Sequence, residues 1–309
     1  GESIAEYVWF PFNDKKLNLA YEFILTSGIN KETFRVIVDA NNGEVLFRQG
    51  LTKYICEATY RVYTNESPTP MNPGLSYPAT NQPPVVERTL ITLSALNTNV
   101  SPIGWVYTNL NQTTGNNADA YLDVNADDSP DTPSVTGSPQ LVFDFPLDLS
   151  KNPYDYSSAS VVNLFYWVNF AHDKFYELGF TEETGNFQDD NFGKSGFGND
   201  HLKAEAQDGD GYNNSNMTTP PDGNSPRMQM FIFTGPTPYR DGSLDAEVVL
   251  HEFTHGVSDR LVGGGAGLGT LQSLGIGEGW SDFFAIALIT KPDADLGGIY
   301  PMAPYVTYL

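Results

Sequence analysis

His251-Glu252-Phe253-Thr254-His255, set within the stretch from Ser243 to Asp282, decides how this chain is organised. Two histidines four residues apart on a helix lie on one face, one turn above the other. That spacing lets both neutral imidazoles reach a single metal ion, and Zn2+ is the ion such a pair most often holds. Glu252 is rotated by about 100° from His251 around the helix, so it can act as a base beside the metal without being a ligand. The flanking residues predict the helix itself. Ser243 is a candidate N-cap, Asp245 and Glu247 suit the first turn, and Gly263-Gly264-Gly265 ends it.

The pattern predicts a second helix from about Glu278 to Ile289, closed by Lys291-Pro292. Packed across the first, it would offer Glu278 as a third ligand. Asp282 is four residues on and faces the same side, placed to accept the spare N–H of a ligand histidine and fix its tautomer. Asp259, one turn after His255, is a further candidate for that task. A lone His-Glu-x-x-His arises by chance in many chains; the Glu278 and Asp282 pair close behind it raises its meaning. Three protein ligands with a fourth position open is the composition of a catalytic zinc site.

The rest of the composition sets bounds. A chain of 309 residues that is 40% hydrophobic can build one large domain or two modest ones. Charged residues make up only 17%, while Gly, Asn, Thr, Ser and Tyr abound, a mix that suits β-rich, loop-rich structure. A net charge of −22 argues against nucleic acid and anionic membranes as partners. Cys56 is the single cysteine, so no intrachain disulfide forms, which does not exclude secretion. No apolar run reaches the roughly eighteen residues of a membrane-spanning helix. The start at Gly1 and the half-apolar end at Leu309 read as a piece of a longer precursor.

Taken in order, residues 1–57 alternate as strands do. Leu17 to Leu25, Phe34 to Val38 and Glu44 to Arg48 are candidates, the last two joined by the turn residues Asp39-Ala40-Asn41-Asn42-Gly43. The texture changes at Ala58-Thr59-Tyr60-Arg61-Val62-Tyr63, and Glu66 to Pro84 is proline-rich and irregular. Residues 85–150 read as a β-rich lobe. Asp123 to Asp131 sets carboxylates on alternate residues, but an EF-hand loop needs Gly sixth and Glu twelfth, where this chain has Asp128 and Ser134. A solvated acidic loop is the ordinary reading, and Ca2+ at Asp123–Asp131 the functional one. Residues 158–178 show helical spacing, with His172 in an aromatic stripe as a structural histidine. Tyr212 to Thr219 reads as an edge strand, Pro220 to Gly223 as a turn and Arg227 to Phe233 as a strand. An edge strand beside the metal helix can receive an extended peptide by main-chain pairing.

The chain resembles the fungalysin-type metalloproteases, within the wider thermolysin-like group. The resemblance rests on His251 to Leu261, Gly277-Glu278-Gly279-Trp280-Ser281-Asp282-Phe283, Asn163-Leu164-Phe165-Tyr166, Gly185-Asn186-Phe187-Gln188, Ala206-Gln207-Asp208-Gly209 and Pro221-Asp222-Gly223. Val38 to Leu46 resembles the end of such a protease's propeptide. The resemblance implies an α+β fold: the propeptide end with its β-hairpin in 1–57, a thermolysin-like β-rich lobe in 58–240, and the zinc helix and third-ligand helix in 241–309. These last would open a helical lobe that is largely missing. It implies His251, His255 and Glu278 as zinc ligands, Glu252 as catalytic base, and Asn213, Asn214, Asn216 and Met217 on a substrate-pairing edge. The activity implied is that of a secreted, extracellular zinc endopeptidase acting on proteins or peptides and restrained by its own propeptide. Relatives carry an oxyanion-stabilising histidine beyond the zinc helix, whereas none of the four histidines here follows His255. Two other readings remain at this stage: a zinc-binding fragment without turnover, and an aminopeptidase, whose amino-end anchor motif is absent.

Overall fold

Alternating apolar and polar residues at the start of the chain form four antiparallel strands: β1 (Ala5–Asn13), β2 (Lys16–Thr26), β3 (Thr33–Asp39) and β4 (Val45–Gly50), in that order across one sheet. The computed structural model that shows this describes residues 5–13, 16–26, 33–50, 57–71, 85–131, 134–295 and 297–307. Cys56, the proline-rich residues 72–84 and Tyr308 lie outside them. The hairpin expected around Asp39–Gly43 is the β3–β4 connection. Asn41 N donates to Asp39 Oδ1 at 2.8 Å, and Gly43 takes the left-handed backbone (φ 78°) that closes the turn. It belongs to a four-stranded sheet rather than standing alone, because β2 pairs with both β1 and β3. A bidentate Arg35–Glu22 ion pair at 2.6 and 3.0 Å links β2 to β3.

The chain divides into two compact units, residues 1–55 and 56–309. In the second, the elements follow as β5 (Ala58–Val62), β6 (Thr89–Leu93), β7 (Ala118–Leu122), β8 (Val142–Phe143), α1 (Ser157–Glu177), β9 (Leu202–Ala206), β10 (Ser215–Thr218), β11 (Arg227–Met230), β12 (Ile232–Phe233), β13 (Arg240–Asp241), α2 (Ala246–Leu261), α3 (Leu271–Ile289) and α4 (Pro304–Thr307). One sheet runs β6-β5-β8; another, β10-β11-β9-β7, leaves β10 at its edge. The fold is mixed α+β.

The helix α1 is buried along most of its length, with Val161, Leu164, Phe165 and Trp167 fully covered. Side chains of this size each contribute roughly 1.5–3 kcal/mol when buried. Asn163 ties α1 to both ends of the core: it accepts from Tyr63 N at 3.0 Å and donates to Ser243 O at 2.8 Å. Phe175 of α1 stacks on Phe253 of α2 with centroids 5.7 Å apart, and Phe187 meets the same ring edge-on at 5.6 Å. Phe253, in the middle of the His-Glu-x-x-His segment, thus anchors that helix in the core.

Two helix starts differ from the expected ones. Asp245, not Ser243, caps α2: its extended backbone lets the carboxylate accept from Glu247 N at 3.2 Å, whereas Ser243 sits in a preceding single turn capped by Asp241. The helix α3 begins at Leu271, about two turns before Glu278, because Thr270 and Ser273 cap each other there. The glycines at 275, 277 and 279 weaken helical propensity, which hid this start, but they lie inside the helix. The three consecutive glycines after α2 all take positive φ and turn the chain.

Candidate metal centre

Helices α2 and α3 meet across a seam of small side chains. Gly277, Ser281 and Ala285 are the buried residues of α3 and recur every four positions along one face. That face lets α3 lie close to His255, and the neighbouring face carries Glu278 and Asp282. The two imidazoles of α2 stand nearly perpendicular, at 76°, with centroids 4.7 Å apart. His251 Nε2 and His255 Nε2 are 3.0 Å apart, and Glu278 Oε2 lies 3.2 Å from the first and 3.5 Å from the second. Ligands about 2.0–2.1 Å from a tetrahedral zinc are separated by roughly 3.3 Å. The triangle has that size, and two nitrogens with one carboxylate form a donor set that suits zinc.

Asp282 Oδ1 lies 2.8 Å from His251 Nδ1. A carboxylate there accepts a hydrogen bond from Nδ1–H, which keeps the proton on Nδ1 and the Nε2 lone pair facing the other donors. Asp259 is half-buried and raised in pKa by burial, with His255 pulling the other way. Among the described residues its carboxylate makes no hydrogen bond to either imidazole.

Glu252, next to His251 on α2, is held from the strand side by Ser215 of β10. It is 5% exposed, and burial raises its pKa, while the hydroxyl of Ser215 and the nearby His255 lower it. Ser215 Oγ donates to Glu252 Oε1 at 2.6 Å. Two strand residues advance about 6.6 Å and four helix residues about 6 Å. So Ser215 meets Glu252, and two residues on Met217 meets Gly256, where the Met217 methyl lies 2.5 Å from the position a Cβ would take. The edge strand β10 therefore runs alongside α2 in step with it.

A cleft of about 200 Å3 is lined by Asn213, Asn214, Ser215, His251, Glu252, Asp282, Val306 and Thr307 among others. Of the residues expected on the substrate edge, Asn213 and Asn214 line this cleft. Met217 packs on the helix, and Asn216 points to the other face of β10 by strand alternation. Asn213 is held by Thr234, whose N–H donates to Asn213 Oδ1 at 2.7 Å. Ser215 lies within the expected edge strand, but its bond to Glu252, and the presence of Val306 and Thr307 on the cleft, had no signal in the sequence. The Val306 side arises because α4 is pinned to the start of α2: Asp245 accepts from Tyr305 N and Val306 N at 3.2 and 3.3 Å, and Glu247 from Ala303 N at 2.7 Å. Tyr305 is buried away from the cleft, and Tyr300 bonds to Asp295 O.

The far end of α2 is held by Arg260, 5% exposed. It donates to Asp200 Oδ2 at 2.8 Å, Gly185 O at 3.0 Å and Asp222 Oδ1 at 3.3 Å. Motifs scattered over 75 residues of sequence thus converge on the C-terminal end of this helix.

Comparison with known proteins agrees with this geometry. The family model described as "Fungalysin metallopeptidase (M36)" matches residues 76–308. This chain belongs to the fungalysin metallopeptidase family. Among the family's curated members, "Extracellular metalloproteinase mep" of Aspergillus fumigatus is 38% identical over 310 residues, covering 98% of this chain and 46% of its own. The protein of the same name from Aspergillus flavus is 39% identical over 294 residues, 93% of this chain and 44% of its own. "Extracellular metalloproteinase 5" of Trichophyton tonsurans is 38% identical over 275 residues, 87% of this chain and 43% of its own. The chain spans about half the length of these fungalysin relatives. Among the described residues, no helix is long and apolar enough to cross a membrane.

Proposed function

We propose that the chain carries the zinc centre of a secreted endopeptidase that hydrolyses internal peptide bonds of proteins. The observation that carries this reading is the convergence of His251 Nε2, His255 Nε2 and Glu278 Oε2 within 3.5 Å, with His251 and the neighbouring Glu252 lining one cleft. His251, His255 and Glu278 would hold the zinc, and Asp282 would keep His251 in the ligating tautomer. When bound, zinc polarises a carbonyl oxygen and acidifies water. Glu252 accepts a proton from the attacking water and returns it to the amine nitrogen that leaves. Ser215 holds one oxygen of Glu252, so the other faces the cleft in a fixed direction. Burial of Glu252 raises its proton affinity, which suits a group that must both take and give a proton. The open edge of β10 offers unpaired N–H and C=O groups to an extended peptide, with Asn213 and Asn214 at its entrance.

The names of the relatives support secretion and protein substrates for the whole protein. The separate compact unit at residues 1–55 is in keeping with residues 1–57 as the end of a propeptide. The test is cleavage of casein by the zinc-loaded protein. Glu252→Gln should keep its zinc while cleavage drops by about 10^2–10^4-fold. Unchanged cleavage would remove Glu252 from the mechanism, and cleavage surviving complete zinc removal would remove the metal.

A further inference from the structure

A second cluster of carboxylates lies away from the zinc centre. Asp123 follows β7, Glu205 lies in β9 and Asp208 follows β9; an oxygen of each stands within 4.8 Å of the others, and all three are buried. Most of their oxygens have donors. Asp123 accepts from Asp127 N and Asp128 N at 3.1 and 2.9 Å, Asp208 from Asp210 N and Gln229 Nε2 at 2.7 Å each, and Glu205 Oε1 from Tyr121 OH at 2.9 Å. Glu205 Oε2 is the exception. Its side chain is fully buried and this oxygen accepts no hydrogen bond. The closest cation among the described residues is Arg227 Nε at 3.7 Å, and Arg227 also pairs with the exposed Asp128.

A buried carboxylate oxygen without a partner is costly, and the cost grows when two further carboxylates face it. The three carboxylates share a single guanidinium with Asp128, so the cluster keeps an excess of negative charge that a divalent cation would offset. The donors are all oxygens, which selects a hard ion such as Ca2+ over zinc. We propose that Asp123, Glu205 and Asp208 form a structural Ca2+ site, centred on these buried groups rather than along the exposed acidic loop that continues to Asp131. The site would join the ends of β7 and β9, and through Gln229 the strand β11 that carries β10. It would thereby steady the strand edge facing the zinc cleft. Burial, reinforced by Asp208 and Asp123 against the Tyr121 hydrogen bond, pushes Glu205 up to about 8.

The test uses the full chain, stripped of Ca2+ on a chelating resin with zinc then restored. Millimolar Ca2+ should raise the unfolding midpoint by about 5 °C or more. Tb3+ should bind with luminescence sensitised by the adjacent Tyr121 and be displaced by Ca2+. Glu205→Gln, which keeps an acceptor for Tyr121, and Asp208→Asn should weaken Ca2+ binding by at least about 10-fold, the loss seen even for partners of metal ligands. Asp127→Asn in the exposed loop should leave it unchanged. Absence of both the Ca2+ stabilisation and the Tb3+ signal in the unaltered chain overturns the proposal. So does a Ca2+ effect lost in Asp127→Asn but kept in Glu205→Gln.

Discussion

At the scale of single residues, the centre depends on side chains that hold other side chains. Asp282, whose Oδ1 lies 2.8 Å from His251 Nδ1, is proposed to work through His251. Asp282→Asn should therefore weaken zinc binding by about 10–100-fold while leaving the unfolding midpoint of the zinc-free protein nearly unchanged, measured by competition with a zinc chelator and by calorimetry. Ser215 acts on Glu252 in the same indirect way. Ser215→Ala should lower kcat more than it changes KM, with zinc content intact, and Ser215→Thr should restore most of the loss. The histidine pair and Glu252 were legible in the sequence because helical periodicity alone sets their directions. Ser215 was not, since its contact spans 37 residues and depends on where an edge strand comes to rest.

At the scale of elements, α2 is fixed at both ends by buried charges. Asp245 caps its start and also receives two N–H groups of α4, and burial pushes its pKa up to about 6. Arg260 gathers Asp200, Asp222 and Gly185 at its end. Removing one partner of a buried pair leaves the other charge uncompensated, so Arg260→Ala should cost about 3–5 kcal/mol. Chemical denaturation reads this directly, and a loss below about 1 kcal/mol would mean the pair is not structural. The elements themselves were partly legible. Residues 158–178 showed their helix because Val161, Leu164, Phe165 and Val168 repeat at its period. The start of α3 did not show, because three glycines mask a helix that packing supports. The short α4 carries no periodic signal, and its position follows from the carboxylates it meets.

At the scale of the molecule, an acidic chain keeps several carboxylates buried, and this sets a pH response. Glu205 has a folded pKa of about 8 against an ordinary 4.5, so without Ca2+ the folded state holds a proton that the unfolded chain has already released between these values. Its contribution is fully present below about 4.5 and is lost as pH rises toward 8. Facing it are Asp123, Asp208, Tyr121 and Arg227. The unfolding midpoint of the Ca2+-free protein should therefore fall from pH 5 to pH 8 more steeply than that of Glu205→Gln, and added Ca2+ should remove the difference. Equal slopes would mean Glu205 titrates normally. Composition pointed only to β-rich, loop-rich structure and the mixed α+β class came with the fungalysin resemblance, whereas the acidic triad had no signal in the sequence. Asp123 precedes Glu205 by 82 residues, and the parallel pairing of β7 with β9 brings it to Glu205 and Asp208. The zinc-to-protein ratio, measured by mass spectrometry of the purified chain and three variants, separates the side chains that hold the metal from the one that works beside it. About one zinc per chain is expected in the unaltered protein and in Glu252→Gln, and close to none in His251→Ala or His255→Ala; zinc retained by the histidine variants, or lost from Glu252→Gln, would contradict the account.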